Sequence, residues 1–158
     1  MLDAHRMKLG LQVAALPWRL RGRQLEFLLV TSRASRHWLV PKGWPMPGKS
    51  NRDAALQEAF EEAGVRGIGS VGPIGSYPFQ KAMHDGSELS CVMSVYGMSE
   101  VIELDAWPEM DQRERLWVPQ IETVEMIHDW GLARFLASLT LDRSSGLIKA
   151  PVSSAARR

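Results

Sequence analysis

A loop rich in proline and glycine leads straight into an acidic helix, and this junction constrains the fold more than any other part of the sequence. Residues 41–48 contain three prolines and two glycines, which predicts an ordered loop without helix or strand. Ser50 opens the helix and, with Asp53, resembles a capping box. Gly64 suits the left-handed residue that ends a helix. The sequence therefore predicts one helix of fixed start and end, directly after a stiff loop.

Two faces of this helix differ sharply in chemistry. The predicted core stripe consists of Leu56, Ala59, Phe60 and Ala63. Glu58, Glu61 and Glu62 stand at i, i+3 and i+4, so we expect them on one face, opposite the core. A solvated acidic surface is the simplest interpretation, although like charges at this spacing cost a helix about 0.2–0.5 kcal/mol per pair. A divalent metal that carries a phosphate substrate would remove that repulsion.

Length and composition predict one globular domain over residues 1–158. The hydrophobic fraction of 45% is ordinary, and no apolar run is long enough to span a membrane. The N-terminus does not resemble a secretory signal, and the lone Cys91 has no disulfide partner, so we expect a cytoplasmic protein. A net charge of +1 argues against nucleic acid as a partner, and nothing in the sequence indicates an oligomeric state.

Apolar runs and alternation elsewhere predict several strands and one more helix. The strands are expected at 9–16, 25–30, 38–40, 69–79, 88–98 and 116–118, with a basic turn at 19–23. A second helix is expected over 121–139, interrupted near 128–131, with Leu132, Phe135, Leu136 and Leu139 facing the core. We expect a mobile tail from Ser144 onward. This pattern predicts an α/β or α+β sandwich around a mixed sheet.

The junction resembles the Nudix box, whose pattern is G-x5-E-x7-R-E-U-x-E-E-x-G-U, with U an apolar residue. The matching residues are Gly43, Glu58, Ala59, Glu61, Glu62, Gly64 and Val65, with no gap. Residues 38–45 are similar to the approach to the box in the diphosphoinositol-polyphosphate phosphohydrolase-like branch. Residues 107–109 and the later Arg113, Arg115 and Trp117 are similar to it less specifically. The resemblance covers about residues 9–140, which we take as the core of a single Nudix domain, and it implies a Nudix-type α/β/α sandwich.

Two positions depart from the box. Lys49 stands in place of the first glutamate, and Gln57 stands in place of the arginine. In the family that arginine helps to orient the catalytic carboxylates. Gln57 can donate a hydrogen bond but carries no charge, so the expected orientation of the glutamates is looser. Lys49 could add a cation near the substrate phosphates.

The resemblance implies that Glu58, Glu61 and Glu62 are both catalytic residues and the ligands of Mg²⁺ or Mn²⁺. The metal would neutralise a diphosphate and polarise the attacking water. The general base stays open between two sets of carboxylates. Those in the box are Glu58 and Glu61, and those outside it are Glu103, Glu109 and Asp111.

Several other residues are candidates for binding the substrate. The first set is Lys42, Gly43, Arg33, Arg36 and Trp44, and later cations are Lys81, Arg113 and Arg115. Gly43 allows close approach of the backbone to a ligand, Lys42 supplies charge for phosphate, and Trp44 could stack on a base. For most of the cations, a solvated surface position is the competing interpretation. The histidines show no metal-ligand spacing.

The predicted function is metal-dependent hydrolysis of a diphosphate linkage in a small molecule. The substrate classes are a nucleoside-diphosphate derivative, a dinucleoside polyphosphate or an inositol pyrophosphate. Lys49 and Gln57 keep a second hypothesis open, namely a non-catalytic module that binds a phosphorylated ligand. A third is a pyrophosphohydrolase acting on RNA 5′ ends, which the small net charge disfavours.

Overall fold

The computed structural model describes residues 10–151, and a mixed β-sheet forms the middle layer. The strands are β1 (Gly10–Arg21), β2 (Gln24–Thr31), β3 (Trp38–Leu39), β4 (Lys42–Gly43), β5 (Val65–Gly69), β6 (Gly75–Ala82), β7 (Glu88–Glu103) and β8 (Arg115–Pro119). The main path runs β3-β2-β1-β7-β5, and β4, β6 and β8 pair with β1, β7 and β2. Strands β1 and β7 are parallel, whereas the other pairings in this sheet are antiparallel.

The hairpin of β1 and β2 is longer than expected. We expected a basic turn over residues 19–23, but strand pairing continues to the end of β1. Arg19 faces Glu26 across the hairpin, and its Nε lies 2.8 Å from Glu26 Oε1. This cross-strand ion pair suits a ladder, so the connection shrinks to a tight turn at Gly22, where φ is 64°.

The segment expected as one strand at 69–79 is divided in two. Strand β5 ends at Gly69 and β6 begins at Gly75, and both pair with β7 at different places along its length. The link between them contains Gly72 and Pro73, which favour a loop over a continuous ladder.

One face of the sheet is covered by α1 (Asn51–Ala63). Ser50 caps it as predicted, because its side chain accepts a hydrogen bond from the Asp53 N–H at 3.0 Å. Gly64 ends it at a φ of 63°, also as predicted. The residues packed against the sheet are Ala54, Ala55, Ala59 and Ala63, with Leu56 and Phe60 only partly buried. The alanines allow the helix backbone to lie close to the strands, so the larger side chains are left at the helix edge.

The other face carries α2 (Gln120–Met126) and α3 (Trp130–Ser138). The expected interruption is present, and Asp129 caps α3 by accepting hydrogen bonds from two backbone N–H groups. The predicted core residues Leu132, Phe135, Leu136 and Leu139 are all buried. With α1 opposite, these helices make the expected α/β/α sandwich. No helix among residues 10–151 is long and apolar enough to cross a membrane.

A second, two-stranded sheet follows α3. Strand β9 (Thr140–Asp142) pairs with β10 (Leu147–Lys149). We expected a mobile tail from Ser144, yet Ile148 is 1% exposed and packs in the core beneath α3. Because Ile148 is the only buried residue of β10 and its neighbours in the chain are polar or exposed, no apolar pattern predicts this packing. The rest of the predicted tail, residues 152–158, lies outside the described part of the chain.

Candidate active site

A short strand holds the loop before α1 against the sheet. We expected no strand in residues 41–48, but Lys42 and Gly43 form β4 and pair with Ala14 and Val13 of β1. Strand β2 pairs with the last residues of β1 only, so the first half of β1 has an open edge there. Because β4 fills this edge, the loop has a fixed position beneath the glutamates of α1.

Gly43 lies directly against the side chain of Glu58. A methyl group at Gly43 would overlap the Glu58 carboxylate. The φ of Gly43 is not in the left-handed region, so glycine is needed here for space rather than for backbone freedom. The backbone of β4 and the carboxylate of α1 therefore line the same small volume.

Glu58 and Glu62 form a hydrogen-bonded pair of carboxyl groups, one helical turn apart. The pKa of Glu62 is raised to about 8, chiefly by burial and also by the hydrogen bond to Glu58, while Arg113 opposes this shift. Burial also raises the pKa of Glu58, although its hydrogen bond with Glu62 lowers it. The pair thus retains a proton, held on Glu62, at a pH where an exposed glutamate has lost its own.

The interpretation of Glu62 as part of a solvated acidic surface is wrong, since this residue is only 5% exposed. The covering loop, which we define as residues 104–114 between β7 and β8, lies over this side of α1. Trp107 donates from its Nε1 to the Glu62 carbonyl at 3.1 Å, and its ring packs against Gly64. The Glu109 N–H donates to the Glu61 carbonyl at 3.0 Å.

Glu61 lies beside the pair rather than in it. Its charge raises the pKa of Glu58, so it is within electrostatic reach. Its side chain has no hydrogen bond or ion pair with another residue in the range 10–151. The structure therefore brings Glu58 and Glu62 together and leaves the Glu61 carboxylate free at their side.

Arg113 has a different place from the one expected. We predicted a cation for the substrate phosphates, but its side chain is 9% exposed and is held by the protein. Its Nε lies 2.9 Å from Glu109 Oε1 and its Nη1 lies 3.7 Å from Glu62 Oε1. Nη1 also donates to the Thr31 carbonyl at 3.1 Å. Arg113 thus links the covering loop, α1 and β2.

The three candidate bases outside the box differ in whether they lie near the Glu58–Glu62 pair. Glu109 lies in the site, because its charge raises the pKa of both Glu58 and Glu62. Glu103 instead pairs with Arg115, whose guanidinium donates to the carbonyls at the end of α1. Arg115, predicted as a phosphate contact, thus has a structural role there. Asp111 is exposed on the covering loop.

Two lysines line the opposite side of the site. Lys42 is partly buried, and its Nζ lies 3.5 Å from Gln12 Oε1. Burial lowers the pKa of Lys42 and the nearby Lys81 lowers it further, while the negative charge of Glu62 opposes both. Trp44 is 44% exposed, with Lys81 Nζ at 5.7 Å from its ring centroid. Lys42 is therefore within electrostatic reach of Glu62, and Lys81 lies near both Lys42 and Trp44.

Arg33 and Arg36 contact the covering loop instead of pointing to the glutamates as a phosphate grip would. Arg33 donates to the Gln112 side chain at 3.4 Å, and Arg36 donates to the Gln112 carbonyl at 2.9 Å. Arg36 also pairs with Glu114 at 3.3 Å. Both arginines remain exposed, and in this conformation they anchor the loop that carries Arg113.

A pocket that the sequence did not reveal adjoins Lys42. It has a volume of about 120 Å³ and is lined by Lys42, Tyr77, Phe79, His37, His128 and Asp129, among others. The rings of His37 and His128 stack with centroids 4.2 Å apart. The alternation of β6, which puts Tyr77 and Phe79 on one face, was the available signal. Two larger grooves, of about 580 and 630 Å³, contain none of the three box glutamates.

The chemistry of the site suits a hard divalent cation. Two carboxyl groups are packed together in a buried place, where a proton now relieves their repulsion, and a divalent ion could replace it. Gly43 lets the Glu58 carboxylate lie directly against the backbone of β4. Within residues 10–151, no group of three His, Cys, Asp or Glu side chains already converges as a ligand set, so Glu61 has to turn inward to complete it.

Comparisons with known proteins agree with this geometry. The NUDIX domain family model matches residues 9–139. Nudix hydrolase 13, mitochondrial, of Arabidopsis thaliana is 32% identical over 146 residues, which cover 85% of this chain and 71% of that protein. Nudix hydrolase 16, mitochondrial, of the same plant is 35% identical over 113 residues. That match covers 69% of this chain and 62% of the relative, so the chain spans less than two thirds of it.

The fold also matches a solved structure. A crystal structure of a Caenorhabditis elegans Ap4A hydrolase binary complex is similar, with a TM-score of 0.64 and 18% identity. The match covers 82% of this chain and 93% of that one. At this identity the similarity supports the fold alone.

Proposed function

This chain belongs to the Nudix family, and we propose that it is a pyrophosphohydrolase that depends on a divalent metal and cleaves the diphosphate linkage of a nucleotide derivative. The observation that carries the proposal is the hydrogen-bonded pair of Glu58 and the buried Glu62 beside Gly43, with Lys42 within electrostatic reach. A site with acids on one side and lysines on the other suits a metal-bound diphosphate. The expected family membership is confirmed.

The site residues fall into two groups, namely metal ligands and substrate contacts. Glu58, Glu61 and Glu62 would bind Mg²⁺ or Mn²⁺, which would neutralise the diphosphate and lower the pKa of the attacking water. Lys42 would contact phosphate oxygens because its ammonium group is within electrostatic reach of Glu62, and Lys81, which lies near Lys42, would contribute a second cation. Trp44 and the pocket containing Tyr77 and Phe79 would receive the organic part of the substrate.

We propose Glu109 as the general base. Of the carboxylates outside the box, it alone raises the pKa values of the Glu58–Glu62 pair, which shows that it lies near them. Arg113 holds one of its oxygens, and the second oxygen has no partner among residues 10–151 that would prevent it from accepting a proton. With Glu109 as the base, Glu58 and Glu61 would act as metal ligands together with Glu62 and would not be needed as bases.

Two substrate classes rank first. The fold neighbour is an Ap4A hydrolase, and the aromatic pocket beside Lys42 suits a nucleobase, so dinucleoside polyphosphates and nucleoside-diphosphate derivatives are proposed. Inositol pyrophosphates form the third class, supported by the similarity of residues 38–45 to the diphosphoinositol-polyphosphate phosphohydrolase-like branch.

The test is phosphate release from these three classes with Mg²⁺ or Mn²⁺. We expect Glu61→Gln and Glu62→Gln to lose most of the metal-dependent turnover and to keep their thermal melting transitions. Glu125→Gln, an exposed glutamate of α2, is the matched control and should retain full turnover. Unchanged turnover in both site variants sinks the proposal. If the wild type binds these compounds without releasing phosphate, the result would favour a non-catalytic module that binds a phosphorylated ligand. If triphosphorylated RNA competes with them, the result would favour a pyrophosphohydrolase acting on RNA 5′ ends.

A further inference from the structure

We propose that Arg113 is a positioning residue that supplies, from the covering loop, the guanidinium that α1 lacks at Gln57. The inference rests on the proposed function, because it concerns the alignment of the same carboxylates. Arg113 lies 56 positions after Gln57 in the chain, so the replacement is visible only in the fold.

The α1 helix has no cation of its own near its glutamates. Its single basic residue is Arg52, which donates to the carbonyls of Gly69 and Ser70 near the helix start. Gln57 lines a different cleft, together with Asp53, Phe60 and Arg66. Within residues 10–151 its side-chain amide has no hydrogen-bond partner. The box position that normally carries an arginine therefore does nothing for the carboxylates.

Arg113 reaches the same carboxylates from outside the helix. Its charge lies between Glu62 and Glu109, so it offsets the repulsion between an acid of the box and an acid of the loop. The hydrogen bond to the Thr31 carbonyl fixes the guanidinium to β2, which is part of the rigid sheet. Two hydrogen-bond acceptors, Glu109 and the Thr31 carbonyl, and the ion pair with Glu62 therefore fix the side chain from three elements.

The geometry also requires arginine rather than any cation. Nε donates to Glu109 while Nη1 donates to the Thr31 carbonyl and lies near Glu62. A guanidinium can do this because its donors are held in a fixed planar arrangement. A lysine at this position keeps the charge but has a single nitrogen, which cannot contact Glu62, Glu109 and the Thr31 carbonyl at the same time. We therefore expect Arg113→Lys to fall between the wild type and Arg113→Gln.

The experiment measures kcat, KM and Mn²⁺ affinity in Arg113→Gln, Arg113→Lys and the double variant Arg113→Gln/Gln57→Arg. For Arg113→Gln we expect kcat to fall about 10- to 100-fold, KM to change less than threefold, and Mn²⁺ binding to weaken at least fivefold. Adding Gln57→Arg should recover at least fivefold of both losses, since it restores a guanidinium on α1 next to Glu61.

Two controls separate positioning from folding. Arg115→Gln removes a guanidinium that holds the end of α1, and any loss it causes should not be recovered by Gln57→Arg. Arg66→Gln changes an exposed arginine on the face of Phe60 and should leave turnover unchanged. Melting curves establish that each variant is folded at the assay temperature.

Three outcomes decide the matter. A rise in KM with an unchanged kcat makes Arg113 a phosphate contact and overturns the inference. Failure of Gln57→Arg to recover either quantity in a folded double variant also overturns it. If the wild type hydrolyses no diphosphate, the proposed function fails, and Mn²⁺ binding in the same three variants still tests the role of Arg113.

Discussion

Two carboxyl groups one helical turn apart destabilise a fold, and here one of them, Glu62, is buried and the other, Glu58, is partly buried. Glu58 and Glu62 are held together by close packing at Gly43 and by the covering loop, although each raises the electrostatic cost of the other. In the absence of metal, the proton on Glu62 limits this cost. The metal-free protein should therefore carry a signature of that proton in its stability.

The first prediction concerns stability against pH in EDTA. The pKa of Glu62 is raised from 4.5 to about 8 by burial, so between these values the folded state binds more protons than the unfolded state. The free energy of unfolding should fall as pH rises through this window, by at most about 1.4 kcal/mol per pH unit for one proton. Below the lower value the contribution is fully present.

Urea unfolding from pH 5 to 8.5 measures this slope in the wild type and in Glu62→Gln. The amide cannot ionise, so the wild type should lose stability relative to the variant as pH rises. Parallel curves for the two proteins would contradict the assignment of the proton to Glu62.

The sequence predicts the identity of the site residues better than their surroundings. Spacing alone places Glu58, Glu61 and Glu62 on one helix face, and the box resemblance adds Gly43. The burial of Glu62 could not be read from α1, because the residues that cover it, Trp107 and Arg113, are more than 40 positions away in the chain. Such long-range contacts leave no local pattern.

At the scale of elements, α1 was the most predictable unit because its signals are local. Its cap, its length and its glycine end are all specified within the helix and its neighbours. Strand β4 escaped prediction because two residues between prolines show no alternation, and its pairing depends on an open edge of β1. Strand β10 escaped for a similar reason, with one buried residue in a polar segment.

The cap of α1 gives a prediction at this scale. Ser50→Ala removes the acceptor for the Asp53 N–H and should cost about 1 kcal/mol in the free energy of unfolding. Ser50→Asp keeps an acceptor and should lose much less, so it is the matched variant. Urea unfolding checks both, and equal losses would show that the cap hydrogen bond is not the source.

At the scale of the whole molecule, the small sheet of β9 and β10 adds Ile148 to the hydrophobic cluster that also contains residues of α3. Ile148 is 1% exposed and belongs to the hydrophobic cluster that includes Leu136 and Phe135, so its truncation leaves a cavity in that cluster. We expect Ile148→Ala to lower the free energy of unfolding by about 2–4 kcal/mol, as is usual for large-to-small changes in a core.

Leu147→Ala is the control for this prediction, since the neighbouring leucine is 53% exposed. It should cost less than about 1 kcal/mol, as surface changes generally do. Thermal and urea unfolding measure both variants. Similar losses for the two would show that β10 adds little to the core.

The covering loop has a consequence for how such a molecule can change over generations. Surface loops ordinarily accept insertions and drift in length, and new specificities arise there. This one is attached to α1 through Trp107 and Glu109, to β2 through Arg113, and to the loop before β3 through Arg36. A change in its length would disturb the acids themselves. We therefore expect lineages of this chain to keep that length constant and to vary instead at the turn of residues 83–87.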